Sequence, residues 1–257
     1  MCGRFALTAS PEELLELFGL LKVEDFPARF NIAPTQPILI VVASDRPEPG
    51  SNLPDRKAVL VRWGFTPGWV KDPRSFPLLI NARAETATEK AAFRAAMRHR
   101  RILVPASGFY EWRRPQKGRE AAQAYWVRPK KGGIVAFAGL LETWSSADGS
   151  QVDTAAILTT GANKSIRTIH DRMPVVVPPE EFARWLDCRT QEPRDITDLM
   201  SPAPEDFFEA IAVSDRVNKV ANAGPDLQEG VTPVASLPAV RNPADERDGD
   251  NGQLTLF

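Results

Sequence analysis

The middle of the chain carries five strand-like runs in close succession, over 102–104, 108–113, 124–128, 134–143 and 154–159. They are rich in β-branched and aromatic side chains and are separated by turn-forming residues, so this stretch is committed to a sheet. Two further runs, 38–43 and 57–63, precede them, and 210–214 follows before an irregular 216–230. The 23 prolines are spread along the chain, as expected of many short elements separated by turns. The number of strands predicts an α+β class: a mainly antiparallel sheet or closed barrel with peripheral helices.

The helices are predicted at the margins. Ser10 can cap the first, Pro11 suits its first turn, and Glu13 completes a capping box. Its apolar stripe is Leu14, Leu17, Phe18 and Leu21. A second helix is predicted over 87–98, with Thr86 and Glu89 as its capping box and Phe93 and Met97 on its inner face. It ends in Arg98, His99, Arg100 and Arg101, a basic cluster that charge–dipole stabilisation and solvation explain. Short helices follow around 164–169 and 179–187, the latter with Phe182, Trp185 and Leu186 facing inward. The Pro- and Gly-rich 46–56 reads as a surface loop.

Composition removes several function classes. The chain has 257 residues, enough for a large buried core, and its 32 basic and 33 acidic side chains leave a net charge of −1. Coating of nucleic acid by bulk charge is therefore not expected, although a local basic groove is compatible. The two cysteines, Cys2 and Cys188, and two histidines, His99 and His170, form no zinc-type spacing and no disulfide framework, so no metal is expected and a reducing cytoplasm is the default. No membrane span, signal peptide, dinucleotide fingerprint or P-loop is visible.

Cys2 is the most informative position. Removal of Met1 would place an α-amine and a thiol on one residue, with reference pKa values of about 7.7–8.0 and 8.5. Both are nucleophiles near neutral pH. Such an aminothiol condenses with an aldehyde to an imine and then closes to a thiazolidine through sulfur, which an internal cysteine cannot do. His170, in Ile169-His-Asp-Arg-Met-Pro174, is the better acid/base candidate of the two histidines, because His99 sits in a basic helix end. In Phe109-Tyr-Glu-Trp112, strand alternation puts Tyr110 and Trp112 on one face and Phe109 and Glu111 on the other. Glu111 is then either an inward carboxylate suited to proton transfer or a surface residue of an edge strand. Asn81, in Ile80-Asn-Ala-Arg-Ala-Glu85, follows an apolar run, as polar residues do at strand ends near sites. The aromatic loop Trp63-Gly-Phe-Thr-Pro-Gly-Trp69 is either a core plug or a base-stacking platform.

Taken in order, these segments resemble the SRAP family of abasic-site processing proteins, formerly named SOS response-associated peptidases. The matching pieces are Met1-Cys-Gly-Arg-Phe5, Asn31-Ile-Ala-Pro34, the Trp63–Trp69 loop, Asn81-Ala-Arg-Ala-Glu85, Phe109-Tyr-Glu-Trp112, Thr159-Thr-Gly-Ala-Asn163, Ile169-His-Asp-Arg-Met-Pro174 and Val217-Asn-Lys-Val220. The resemblance implies that residues 1–238 form one SRAP domain, which binds abasic sites in single-stranded DNA and crosslinks to them through Cys2. It places Asn81, Glu111 and His170 around Cys2. His170 would assist sugar ring opening, Glu111 would shuttle protons, and Asn81 would orient the Cys2 amine or the sugar. Arg4, Arg83 and Arg172 match positions that hold DNA phosphates, and Trp69 would stack on bases beside the lesion. No cofactor is implied, and reversal of the crosslink and a weak lyase activity are compatible with the imine. Where some relatives carry two adjacent aromatics in the loop, Val70 follows Trp69 here.

The end of the chain differs in kind. Residues 239–252 read as a disordered acidic linker; Arg241–Phe257 holds two basic and four acidic residues. It closes on Gln253-Leu-Thr-Leu-Phe257, which resembles the bacterial sliding-clamp binding motif, with Gln253, Leu254, Leu256 and Phe257 as anchors. The expectation is thus a monomer working at the nucleoid or replication fork. Two other classes use the same residues: a thiol peptidase with Cys2 as nucleophile and His170 as base, able to remove its own Met1, and a non-catalytic adaptor joining single-stranded DNA to the clamp.

Overall fold

The computed structural model describes residues 2–24, 26–44, 54–114 and 122–233. Most of the predicted 46–56 loop, and all of the 239–252 linker and 253–257 peptide, lie outside the described residues. In chain order the regular elements are β1 (Arg4–Leu7), α1 (Pro11–Phe18), β2 (Arg29–Ile32), β3 (Pro37–Ala43), β4 (Arg56–Trp63), β5 (Asn81–Arg83), α2 (Ala84–Ala87), α3 (Arg94–His99) and β6 (Arg101–Ala106). There follow β7 (Gly108–Arg113), β8 (Gln123–Pro129), β9 (Val135–Ser145), β10 (Gln151–Gly161), α4 (Lys164–Arg167), β11 (Arg172–Pro174), β12 (Val176–Val177), α5 (Phe182–Leu186) and β13 (Phe208–Val213).

Five strands close a barrel. β4, β3, β6, β9 and β10 pair in sequence, and β10 returns to β4 through a short parallel contact, Thr154 to Arg62 and Ala155 to Trp63. Closure leaves no free edge along this ring. A second, antiparallel sheet in the order β13-β8-β7-β1-β2 packs against it. The contact is aromatic: Phe109 on β7 meets Phe137 on β9 edge-on at 6.0 Å, and Phe5 on β1 meets Trp63 on β4 at 5.2 Å. All four rings are shut off from solvent, and edge-on pairs of this kind add about 0.5–1.5 kcal/mol each beyond their buried area. The α+β expectation holds, and the barrel is its closed form.

The predicted cap of α1 is present. Ser10 Oγ accepts from Glu13 N at 3.2 Å, and Glu13 Oε2 accepts from Ser10 N at 2.7 Å. Leu14 and Phe18 are buried, but Leu21 is 68% exposed: Gly19 ends the helix at φ 61°, so the stripe stops at Phe18. The single helix predicted over 87–98 is instead two short ones, α2 and α3, with a turn between. Thr86 and Thr88 are weak helix formers, and the turn re-aims the chain so that Phe93 and Met97 enter the core. The Thr86 side chain caps nothing, since its Oγ1 is buried without a hydrogen bond. Arg101 also departs from the solvated reading of its cluster. It is 2% exposed and donates to the carbonyls of Met97, Trp185, Asp187 and Gln191, joining β6 to the α5 region.

Candidate active site

The site lies where β1, β5 and β7 converge. β1 pairs with β7, setting Arg4 opposite Tyr110 and Phe5 opposite Phe109. Because β7 runs between β1 and β8, it is an internal strand, and Glu111 is 3% exposed. The edge-strand reading of Glu111 is therefore overturned. The alternation holds: Phe109 joins the main core, while Tyr110 and Trp112 pack in a second cluster with Trp126 and Val213. Tyr110 donates to Phe30 O at 2.7 Å, and burial pushes its hydroxyl up to about 12.

Cys2, just ahead of β1, is fully buried. Asn81 Nδ2 donates to the Cys2 carbonyl at 2.9 Å, which anchors the backbone of that residue, and Asn81 Oδ1 is buried with no hydrogen-bond partner. An acceptor left open in a buried place carries a cost of about 1–3 kcal/mol that a hydroxyl or ammonium donor would recover. Two forces hold the Cys2 thiol in its neutral form: burial, the larger, and the negative charge of Glu111. The chain's α-ammonium pulls the other way. The thiol's own hydrogen bond runs to Arg4 O, with Sγ 3.8 Å away. Cys2, Asn81 and Glu111 are thus brought together.

His170 is positioned through β10. The C-terminal half of that strand is flanked by β5 on one side, Thr159 opposite Arg83, and by β11 on the other, Gly161 opposite Arg172. His170 stands two residues before Arg172, about a quarter exposed (27%). Its Nδ1 accepts from Arg172 N at 3.0 Å and lies 2.9 Å from Asp171 Oδ1. One nitrogen cannot serve both partners at once: the amide bond needs a bare Nδ1, and the carboxylate contact needs a hydrogen on it. When Nδ1 accepts the Arg172 amide, the hydrogen of the neutral ring sits on Nε2.

The arginines divide. Arg4 donates to Asn31 Oδ1 at 2.8 Å, Val217 O at 2.7 Å and Asn218 O at 3.0 Å. Buried Asn31 binds the same segment through Val217, Lys219 and Asn222 carbonyls, and Trp112 Nε1 reaches Asn218 Oδ1. Arg4 is therefore a structural pin under β1, a task that leaves fewer donors for a phosphate than the expectation gave it. Asn31 was visible in the sequence only as part of a motif, with no chemistry attached. Arg172 is also engaged: Glu85 takes Nη1 at 2.6 Å and Nη2 at 2.8 Å, and Thr159 O takes Nη2 at 2.5 Å. This arginine holds the Glu85 carboxyl below its ordinary range. Arg83 is exposed, and its side chain makes no hydrogen bond or ion pair among the described residues.

The two ends of the aromatic loop differ. Trp63 is a core plug whose Nε1 donates to Ile80 O at 2.9 Å. Trp69, at its far end, is 61% exposed and meets Phe76 edge-on at 5.5 Å. Among the described residues no group of three or more His, Cys, Asp and Glu is placed to hold a metal ion. No helix among them is long and apolar enough to cross a membrane.

Comparison with known proteins agrees with this architecture. A family model described as SOS response associated peptidase (SRAP) matches residues 1–220. The abasic site processing protein YoqW of Bacillus subtilis (strain 168) is 35% identical over 232 residues, covering 89% of this chain and 99% of its own. The abasic site processing protein YedK of Escherichia coli (strain K12) is 30% identical over 239 residues, covering 90% and 100%. Among solved structures, a protein from Bacteroides thetaiotaomicron superposes with a TM-score of 0.77 at 22% identity, over 90% of this chain and all of that one. That likeness concerns the fold.

Proposed function

Because the chain belongs to the SOS response associated peptidase (SRAP) family, we propose that it processes abasic sites in DNA, and that it does so by joining Cys2 to the lesion as a thiazolidine. The observation that carries this reading is the setting of Cys2: buried, anchored at its carbonyl by Asn81, and within the field of Glu111. The neutral thiol is a poor first nucleophile, so the α-amine freed by loss of Met1 acts first.

The steps balance without a cofactor. The abasic sugar opens when its C1′–O4′ bond breaks, with one proton leaving the C1′ hydroxyl and one reaching O4′, where His170 Nε2 is the donor. The amine adds to C1′, and loss of water gives the imine. The thiol then adds across the C=N bond, sulfur to carbon, and its proton passes through Glu111 to nitrogen. Asn81 Oδ1 accepts a hydrogen bond from the amine or the sugar. The same imine supports slow strand cleavage, and the reverse sequence releases the DNA. A peptidase would need the imidazole on the thiol, whereas the thiol faces Arg4 O.

Mixing the protein with single-stranded DNA carrying one abasic site, then running a denaturing gel, should give one shifted band. Blocking the α-amine by retaining Met1 should remove it; a band that persists would overturn the proposal. Around this centre, Arg83 is the one of the three candidate arginines whose side chain is unengaged among the described residues, and so the cation for a phosphate; Trp69 is the stacking surface, and Arg4 and Arg172 contribute only donors left over from their protein contacts. Trp69→Ala should weaken binding of single-stranded DNA by about 1–3 kcal/mol. An unchanged Kd in a fluorescence-anisotropy titration would exclude the stacking role. We further propose that residues 1–238 are the DNA-processing domain and that 253–257, on the 239–252 linker, binds the bacterial sliding clamp. Deleting 253–257 should abolish clamp binding in surface plasmon resonance, and unchanged affinity would refute it.

A further inference from the structure

Glu85 lies outside the group that touches Cys2, yet its contacts lead to His170. Both of its oxygens are committed to Arg172, at 2.6 and 2.8 Å, although the carboxylate itself is half exposed. Arg172 is far less exposed, at 13% for its side chain, and is held from a second direction by Thr159 O. Its Nε is buried without a hydrogen-bond partner, so its fixation rests on those two partners. Thr159 belongs to β10, which pairs with β11 at Arg172. Arg172 is the last rung of that ladder, so its position rests on the strand pairing and on the Glu85 clamp on its side chain together. The N–H of that same residue is what His170 Nδ1 accepts, at 3.0 Å.

We infer that Glu85 is a positioning residue for His170: by clamping Arg172 it fixes the amide that holds Nδ1, and so keeps the imidazole hydrogen on Nε2, pointing its donor to the reacting sugar. The inference rests on the role given to His170 above. Its logic is that of an oriented imidazole, in which the bond made by one ring nitrogen sets the state of the other. Exposure of Glu85 fits this task, since a carboxylate that serves a neighbouring arginine needs no burial of its own, and a bidentate fork supplies the geometric constraint.

The test reads the ring itself. With only His99 and His170 in the chain, nitrogen-15 spectra of the imidazoles contain two rings. In the wild type the neutral His170 ring should show one tautomer, with its hydrogen on Nε2. In Glu85→Gln the clamp loses its charge, so His170 should show a mixture of tautomers while the His99 signals stay in place, which certifies the fold. Crosslinking should slow roughly tenfold, and Glu85→Asp, which keeps the charge, should recover part of both effects. Retention of the single Nε2–H tautomer and the wild-type rate in Glu85→Gln would overturn the inference. Failure of the wild type to crosslink would instead remove the proposed function, while the tautomer measurement would still decide whether Glu85 orients the ring.

Discussion

Cys2→Ala should eliminate the denaturation-resistant product with abasic DNA. The residue is buried but small, and trading the thiol for a methyl costs the fold on the order of 1 kcal/mol. The α-amine remains, so the variant still forms an imine, which water reverses. The wild type differs because sulfur is tethered two bonds from the imine-bearing carbon, and well-oriented intramolecular attack reaches effective molarities of about 10⁵ M. The expected signature is a pair of gels. Without reductant Cys2→Ala and Cys2→Ser show no band; with borohydride both show a trapped one. A stable band for either variant without reductant would mean that sulfur takes no part in the product.

Glu111→Gln should give the second-largest effect, and it moves two observables in opposite directions. Crosslinking should slow by about 10²-fold, the lower range for loss of a positioned acid/base group. The Glu111 charge also raises the Cys2 thiol, second to burial. Removing that charge lowers the thiol again, so alkylation of Cys2 in the DNA-free protein should become faster at a fixed mildly alkaline pH. Burial remains, so this gain stays modest. A variant that merely loosened the site would raise alkylation without a selective loss of imine closure. Equal crosslinking rates for wild type and Glu111→Gln, measured in single turnover, would remove Glu111 from the mechanism.

Strand content and the faces of β7 were legible in the sequence because both rest on local period: alternation alone separated Phe109 and Glu111 from Tyr110 and Trp112. So was the α1 cap, whose Ser10 and Glu13 contacts span three residues. What failed had two causes, a local stop signal passed over and a tertiary demand. Leu21 carries a helical spacing but follows Gly19, and the stretch after Thr86 bends where the core needs Phe93. Closure of the barrel depends on β10 meeting β4 in parallel, a contact between distant segments with no local mark.

The site divides along the same line. Cys2 stands out in the sequence as a candidate because an aminothiol would follow from its place next to Met1, and His170 because histidine is scarce. The engagement of Arg4 and Arg172 was not, since pairing with Asn31 and Glu85 is a property of the folded chain. Glu85 stood inside a quoted segment, Asn81-Ala-Arg-Ala-Glu85, but only the β10 ladder brings it to Arg172 and thence to His170. The near-neutral total charge now has a concrete counterpart: two candidate phosphate ligands are largely occupied within the protein, and Arg83 is left exposed.

The central claim is that the amine and the thiol of one residue end in one ring with the abasic carbon. The most direct measurement is the intact mass of the purified adduct, combined with alkylation after denaturation. The thiazolidine predicts a mass equal to protein lacking Met1 plus DNA less one water, with Cys188 alkylated and Cys2 resistant. An adduct in which Cys2 is alkylated as readily as Cys188, or whose mass retains Met1, would contradict the account.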